Sequence, residues 1–254
     1  MAVVCKSEGQ MRAAWPQMLA RQAGHAIVEP MPVLVPLVTR ETWPRQCAGA
    51  GVHGAHVWVD LRERGKLGCV GDILFTHTGI SGPAVLDVSR DVVPLLRRRP
   101  EVPVRLDLTL GTAAGQWVEQ FEKWQRDRGR KKVVNLLDEV LPSSLSKILA
   151  SLAQVQPDTT PALLNRTQRQ ALAGLLTNLP LTVIASRGFD EAMVTRGGVN
   201  LREVDPNALQ SRLVRGLFFA GEVLDLDGPT GGFNLQWAFS SGWLAGTAAS
   251  HKGR

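Results

Sequence analysis

The chain has 254 residues, 44% of them hydrophobic and 20% charged, and 29 Lys and Arg against 23 Asp and Glu leave a net charge of +6. That is enough chain for one large domain or two small ones, and the composition excludes a wholly disordered or collagen-like protein. No apolar run reaches the roughly 18 residues of a membrane span, no signal peptide opens the chain, and Cys5, Cys47 and Cys69 cannot form a closed disulfide set. A reduced, cytoplasmic protein without membrane association is therefore expected.

In chain order, Met11 to Gly24 reads as a helix, His25 to Val28 as a short strand, and Glu29-Pro30-Met31-Pro32 as an extended linker. From Val33 to Leu110 the texture is β-rich, with alternating runs at His56–Leu61, Asp72–Phe75 and Val102–Leu108. From Thr112 to Asn178 it turns helical: helices are expected over Gln116–Arg126, Lys132–Val140, Pro142–Ala153 and Thr167–Thr177. Leu181–Ala185 reads as a strand, Gly216–Glu222 as a short buried strand, Asp225–Asn234 as a glycine-rich loop and Leu235–Ala249 as a helix of small residues. Strand, glycine loop and helix in that order is the pattern of a nucleotide-binding crossover.

Several motifs carry less than their spelling implies. Gly49 to Gly54 spells G-x-G-x-x-G, but β-like sequence follows where a dinucleotide fingerprint needs a helix, so a turn before a strand is the better reading. His53 and His56 lack a third ligand, and no metal site is expected. Gly79-Ile80-Ser81-Gly82-Pro83 has Pro where a nucleophile elbow needs Gly, which argues against a hydrolase on Ser81 and His77. Ser81 fits an N-cap and Pro83 the first turn of a helix; either this is a capped turn, or its amides and His77 face a ligand. Trp117, Phe121 and Trp124 fall at helical spacing and are assigned to a core. The Arg126, Arg128, Arg130, Lys131 and Lys132 cluster that follows is read as solvated surface, with a nucleic-acid-binding module as the rival.

The C-terminal constellation is the strongest. The Gly221-Glu222 pair places a carboxylate where it can accept hydrogen bonds from sugar or ribityl hydroxyls, and Gly231-Gly232-Phe233-Asn234 opens the helix. Glycines let backbone approach a planar ligand, and a helix N-terminus offers free amides and partial positive charge, which suits the pyrimidine side of a reduced flavin. Gly197-Gly198 offers a second close approach.

On these residues the chain resembles the BaiN/YhiN-type flavoproteins, a group of NAD(P)/FAD-dependent oxidoreductases. The similarity rests on RGFDEAMVTRGGV (Arg187–Val199), GLFFAGEVLDLDG (Gly216–Gly228) and TGGFNLQWAFSSGWLAG (Thr230–Gly246). LFTHTGISGPAVL (Leu74–Leu86) and the opening from Gly24 through Leu37 add to it. The resemblance implies an α/β fold with an α+β insert: a partial Rossmann-like FAD-binding domain, 1–33 and 185–254, interrupted by an insert at 34–184. The insert is β-barrel-like over 34–110 and helical over 112–178. It implies FAD as cofactor and NAD(P)H as reductant of a small-molecule substrate. Glu222 would sit at the ribityl or ribose-phosphate portion, with Gly221 beside it. Gly231, Gly232, Phe233, Asn234 and Leu235 would lie at the ring, Thr195, Gly197 and Gly198 on its other approach, and Thr76, Gly79 and Ser81 on the substrate side. His77 is the candidate proton donor.

Two departures from the family pattern qualify this. The family's N-terminal strand-GxGxxG-helix unit, which holds the ADP half of FAD, is missing, so half-covered apolar faces are expected. The expectation is an N-terminally truncated FAD-dependent oxidoreductase, with a catalytically inert fragment, or one subunit of a split flavoprotein completed by that half or by a homodimer, as the alternative. Arg196 stands where the family has a small or apolar residue, pointing either at the ring or at solvent.

Overall fold

The computed structural model describes residues 14–61 and 68–251, so Cys5 and the start of the helix expected from Met11 lie outside the described residues. The chain divides into two compact units, Met1–Val35 with Arg187–Arg254, and Pro36–Ser186. The first begins with α1 (Ala14–Gln22) and β1 (Ile27–Val33). The second holds β2 (Leu37–Thr39), β3 (Gly51–Val59), β4 (Gly68–Phe75), β5 (Gly79–Ser81), α2 (Pro83–Leu96) and β6 (Val102–Asp107). It continues through α3 (Ala114–Asp127), α4 (Val133–Leu137), α5 (Ser143–Leu152), α6 (Arg166–Thr177) and β7 (Leu179–Ser186). The chain then re-enters the first unit with α7 (Gly188–Glu191), β8 (Val194–Val199) and α8 (Phe233–His251).

In Pro36–Ser186 six antiparallel strands close into a barrel in the order β2-β5-β4-β3-β6-β7. Alternation explains the closure: in β6, Val102, Val104 and Leu106 are buried while Pro103, Arg105 and Asp107 are not. Of the run at 49–54 only Gly49 and Ala50 form the turn before the strand; Gly51–Gly54 already belong to β3, whose register shifts between Val52 and Ala55 as a bulge. Helices α3 to α6 lie between β6 and β7 in sequence. The Trp117, Phe121 and Trp124 stripe is buried as read, with ring centroids 5.5 Å apart for Phe121 and Trp124. Asn165 and Gln168 cap α6 reciprocally.

Three local expectations are corrected. Glu29–Pro32 is part of β1 rather than a linker: among the described residues β1 pairs only with β8, and a register shift between Val28 and Met31 absorbs Pro30, so the missing prolyl amides break no ladder on the other edge. Ser81 is the last residue of β5, and Gly82, not Ser81, is the N-cap of α2. Of Gly216–Glu222 only Leu217–Ala220 is extended, with Phe218, Phe219 and Ala220 buried; it forms a single bridge, Phe218 to Gln210, instead of a strand, and Gly221 and Glu222 begin a short 3-10 turn. Its other backbone bonds go to Leu209 and Ser211 in the adjacent loop.

The first unit is built on the antiparallel β1–β8 pair and a core of Ala20, Val199, Phe218, Phe219, Val223, Leu224 and Ala245. Parallel pairing of the Rossmann kind is represented among the described residues by one bridge, Val199 to Leu224. Among the described residues no helix is long and apolar enough to cross a membrane.

Candidate functional site

The extended segment ending at Ala220 turns sharply at Gly221, and α8 clamps that turn. The Gly221 amide donates to Ser241 Oγ at 2.8 Å, and Trp237 Nε1 donates to the Gly221 carbonyl at 3.2 Å. Trp237 and Ser241 stand one helical turn apart, so one face of α8 holds both the N–H and the C=O of Gly221. The turn aims Glu222 at β8, where its Oε1 accepts the Thr195 amide at 2.5 Å. Between Leu226 and α8 the loop is held by Asn234, whose Oδ1 accepts the Gly228 amide at 2.8 Å and whose Nδ2 donates to the Gly228 carbonyl at 3.0 Å.

These constraints leave a cavity of about 570 Å³ at the N-terminal end of α8, within the size range of small-molecule and cofactor sites. Leu34, Met193, Leu226 and Trp237 give it apolar walls, and Glu222, Thr230 and Asn234 its polar edge. Gly231 and Gly232 enter at φ of +99° and +91°, a conformation costly for other residues, and lead the first turn of the 19-residue α8 into the cavity. A flat apolar slot closed by glycine backbone, a helix N-terminus and one carboxylate suits a planar heterocycle that gains negative charge on reduction.

Of the ten residues expected at the cofactor, Gly221, Glu222, Gly231, Gly232, Asn234 and Leu235 line this cavity. Phe233 instead faces outward, 61% exposed. Thr195, Gly197 and Gly198 are not in its wall, which reaches β8 at Val194. Their glycines serve backbone packing: a Cβ on Gly197 would lie 2.6 Å from the Glu29 carbonyl oxygen, and one on Gly198 2.3 Å from that of Val223. Thr76, His77, Gly79 and Ser81 belong to the barrel unit. Of the two readings left open for this turn, ligand-facing amides or a closed turn, the Thr78 and Gly79 amides follow the second, since Thr76 Oγ1 accepts from Gly79 at 3.1 Å and from Thr78 at 3.4 Å; His77 itself is exposed.

Arg196 is committed elsewhere than the ring. It forms a two-pronged ion pair with Asp227, Nε to Oδ1 at 2.7 Å and Nη2 to Oδ2 at 3.0 Å. Burial raises the Asp225 carboxyl above its ordinary range, the Gly197 amide opposes this, and the neighbouring Asp227 charge adds to it.

Sequence reasoning missed Leu34, Met193, Leu226 and Trp237; the one available signal was the spacing of Trp237 and Ser241 on α8. It also missed a buried cluster. His25 Nδ1 lies 2.9 Å from Glu203 Oε2 and His25 Nε2 2.8 Å from Ser211 Oγ. The arrangement has the shape of an acyl-transfer triad, but Ser211 Oγ also accepts the Leu213 and Val214 amides at 3.1 and 2.8 Å and is buried. Its lone pairs are occupied, so it is a clamp joining the entry of β1 to the 203–214 loop.

Residues 9–248 match the family described as HI0933-like protein Rossmann domain. The chain belongs to this family, which is a family of flavoproteins. It is 32% identical over 234 residues to the 3-dehydro-bile acid delta(4,6)-reductase of Clostridium scindens, covering 92% of this chain and 57% of that protein. It is 36% identical over 177 residues to the ribosomal RNA dihydrouridine synthase of Escherichia coli, covering 68% and 40%. With the Haemophilus influenzae protein of the same name identity is 29%, covering 92% and 55%. The chain thus spans about half the length of the curated relatives it matches.

Proposed function

We propose that this chain provides the ring-side half of a flavin site in an oxidoreductase that takes hydride from NAD(P)H and delivers it to a carbon–carbon double bond conjugated with a carbonyl. The observation that carries the reading is the cavity at the head of α8, walled by glycine backbone and apolar side chains and edged by Glu222. A bound FAD supplies the hydride transfer itself. The chain's residues do the rest. Gly231 and Gly232 bring backbone to the ring, the α8 N-terminus offsets charge gained on its pyrimidine side, and Leu34, Met193 and Trp237 exclude water. Glu222 anchors the hydroxylated chain while bonding the Thr195 amide.

The acceptor class follows from chemistry shared by the relatives. By their names, one reduces double bonds of a 3-oxo steroid and the others reduce the uridine ring of ribosomal RNA. Both substrates are alkenes polarised by a carbonyl, which accept hydride at one carbon and a proton at the next. His77 is assigned as the proton donor, with Thr76, Gly79 and Ser81 on the substrate side. The ADP half of the cofactor is held outside this cavity, and α8 offers Leu235, Phe239 and Trp243, which are 67%, 73% and 79% exposed, as a surface for packing.

The test is flavin binding by the purified chain, followed by fluorescence quenching with riboflavin and with FAD. A ring-side half-site binds both weakly and within a few-fold of each other, and Glu222→Gln weakens both about tenfold, the loss of one charge-assisted hydrogen bond. Quenching by neither flavin sinks the assignment; FAD binding a hundredfold tighter than riboflavin sinks the half-site.

A further inference from the structure

Within Pro36–Ser186 a groove of about 430 Å³ is lined from α4, from α5 and from the turn after α5. Lys132, the residue before α4, and Asn135 stand three positions apart on one side. Lys147 and Ser151 of α5 stand four apart on the other, and Gln154 follows just beyond that helix. Three- and four-residue spacing puts each set on one face of its own segment. The buried Val134, Ala150 and Val155 complete the lining with apolar surface.

The lining carries charge of one sign. Two ammonium groups, a hydroxyl and side-chain amides edge the groove, and none of its lining residues is acidic. Lys132 pairs with Asp158, an exposed carboxylate outside the lining. Lys147 is exposed and forms no hydrogen bond or ion pair among the described residues. The groove beside α3, of about 520 Å³, differs, because Lys123 and Arg128 share its wall with Asp127 and Glu139. A wall of mixed sign balances itself, whereas ammonium groups beside apolar surface draw in an anion with an apolar body. Of the basic run from Arg126 to Lys132, Arg126 and Arg130 are exposed and line neither groove.

Gln154 supplies an independent observation. Helix α5 ends in a Schellman turn: the Val155 amide donates to the Ala150 carbonyl at 2.8 Å and the Gln154 amide to that of Ser151 at 3.0 Å, with Gln154 at φ of +55°. Helix α1 ends in the same pair of bonds, His25 to Ala20 and Gly24 to Arg21, both at 3.0 Å, and there the positive φ, +90°, falls on Gly24. Glycine is the residue this turn favours, and a long side chain in it is costly. The fold uses only the main-chain carbonyl of Gln154, which accepts Gln168 Nε2 at 2.8 Å. Its side-chain amide lines the groove and bonds to no described residue. A ligand in the groove accounts for a glutamine where the backbone alone favours glycine.

We infer that the groove between α4 and α5 binds a small phosphomonoester with an apolar body. Ammonium groups are point charges suited to phosphate, whereas a planar carboxylate is matched by the arginine fork that this lining lacks. Lys147 and Lys132 meet the phosphate oxygens, Ser151 and Gln154 donate to those that remain, and Val134, Ala150 and Val155 cover the body. The inference uses residues of Pro36–Ser186 alone, so it stands or falls independently of the flavin cavity.

The test is calorimetric titration of the full chain at low salt with phenyl phosphate, inorganic phosphate and benzoate, with circular dichroism melting of each variant. Phenyl phosphate is expected to bind more tightly than inorganic phosphate, because the apolar lining adds to it, and more tightly than benzoate. Lys147→Gln weakens phenyl phosphate about fivefold, the range of an exposed charge pair. Gln154→Gly weakens it a few-fold while the chain melts no lower, because glycine relieves the positive φ. Lys123→Gln, in the other groove, leaves binding unchanged. No binding at about 10 mM phenyl phosphate, enough to fill a millimolar site, overturns the inference. So does a Lys123→Gln loss as large as that of Lys147→Gln, which means diffuse charge and no site. Benzoate binding as tightly as phenyl phosphate overturns the phosphomonoester as occupant. Unchanged binding in Gln154→Gly with a lower melting temperature assigns that side chain to the fold and overturns its contact.

Discussion

In Pro36–Ser186 the sheet closes on itself, so Phe75, Ile80 and Leu106 sit inside with no exposure and the surrounding helices seal their own apolar faces. In the unit formed by Met1–Val35 and Arg187–Arg254 the long α8 fully buries Ser241 and Ala245 and turns Leu235, Phe239 and Trp243 outward. A closed barrel has no free edge and needs no partner layer. A two-stranded sheet carrying one long helix cannot cover that helix on both sides. The barrel unit has the core of a finished domain, and the other unit leaves one face of α8 exposed.

The largest test of that contrast is Phe121→Ala in the barrel unit. It removes a ring with no exposure and is expected to cost about 3–5 kcal/mol, read by chemical denaturation, while riboflavin quenching at subdenaturing conditions stays unchanged. Next is Gly198→Ala in the other unit. A methyl group 2.3 Å from the Val223 carbonyl, at φ of +133°, forces β8 away from the Gly221–Val223 turn. The expected cost is about 2–4 kcal/mol, together with loss of flavin quenching, because the strand and the turn that carries Glu222 move together. Intact quenching would separate the cavity from the β8 packing.

A smaller effect comes from Asp225→Asn. Burial raises the folded carboxyl pKa above its ordinary 3.8, so Asp225 favours the folded state when protonated and that contribution is lost as pH rises through the folded pKa. Asn removes the partly buried charge, so the variant is expected to melt slightly higher than the unaltered chain at neutral pH, by an amount that solvent screening keeps small. The difference should vanish as pH falls through the carboxylate range; a gap that widens on acidification contradicts the sign. The smallest effect is Trp243→Lys: with 79% of the residue exposed, its stability change is expected within about 0.5 kcal/mol. A chain that melts several degrees lower would mean that the α8 face is already covered by a second copy.

Much of this organisation was legible from residues. The alternation at Val102–Leu108, the Trp117, Phe121 and Trp124 stripe and the glycine loop before α8 each follow a short-range rule with a fixed period or dihedral, and each is found at or within a few residues of where the sequence puts it. The Gly221, Glu222, Gly231, Gly232, Asn234 and Leu235 half of the expected site is likewise contiguous in sequence and stays together in space.

What the sequence by itself determined is therefore local: which segments bend, which alternate, where a helix starts and where glycine is required. What only the tertiary structure decided is partnership. Gly197 and Gly198 read as a ligand approach until the carbonyls of Glu29 and Val223 are seen to occupy that space. Arg196 reads as facing either the ring or solvent until Asp227 takes it. His25 joins Glu203 and Ser211 across 178 and 186 residues, beyond the reach of any spacing rule. Pro30 and Pro32 read as a linker until β1 has a single neighbour. The physical reason is common to all four: a residue's propensity is set by its own covalent geometry, whereas its role is set by the groups that chain closure brings within hydrogen-bonding or van der Waals distance.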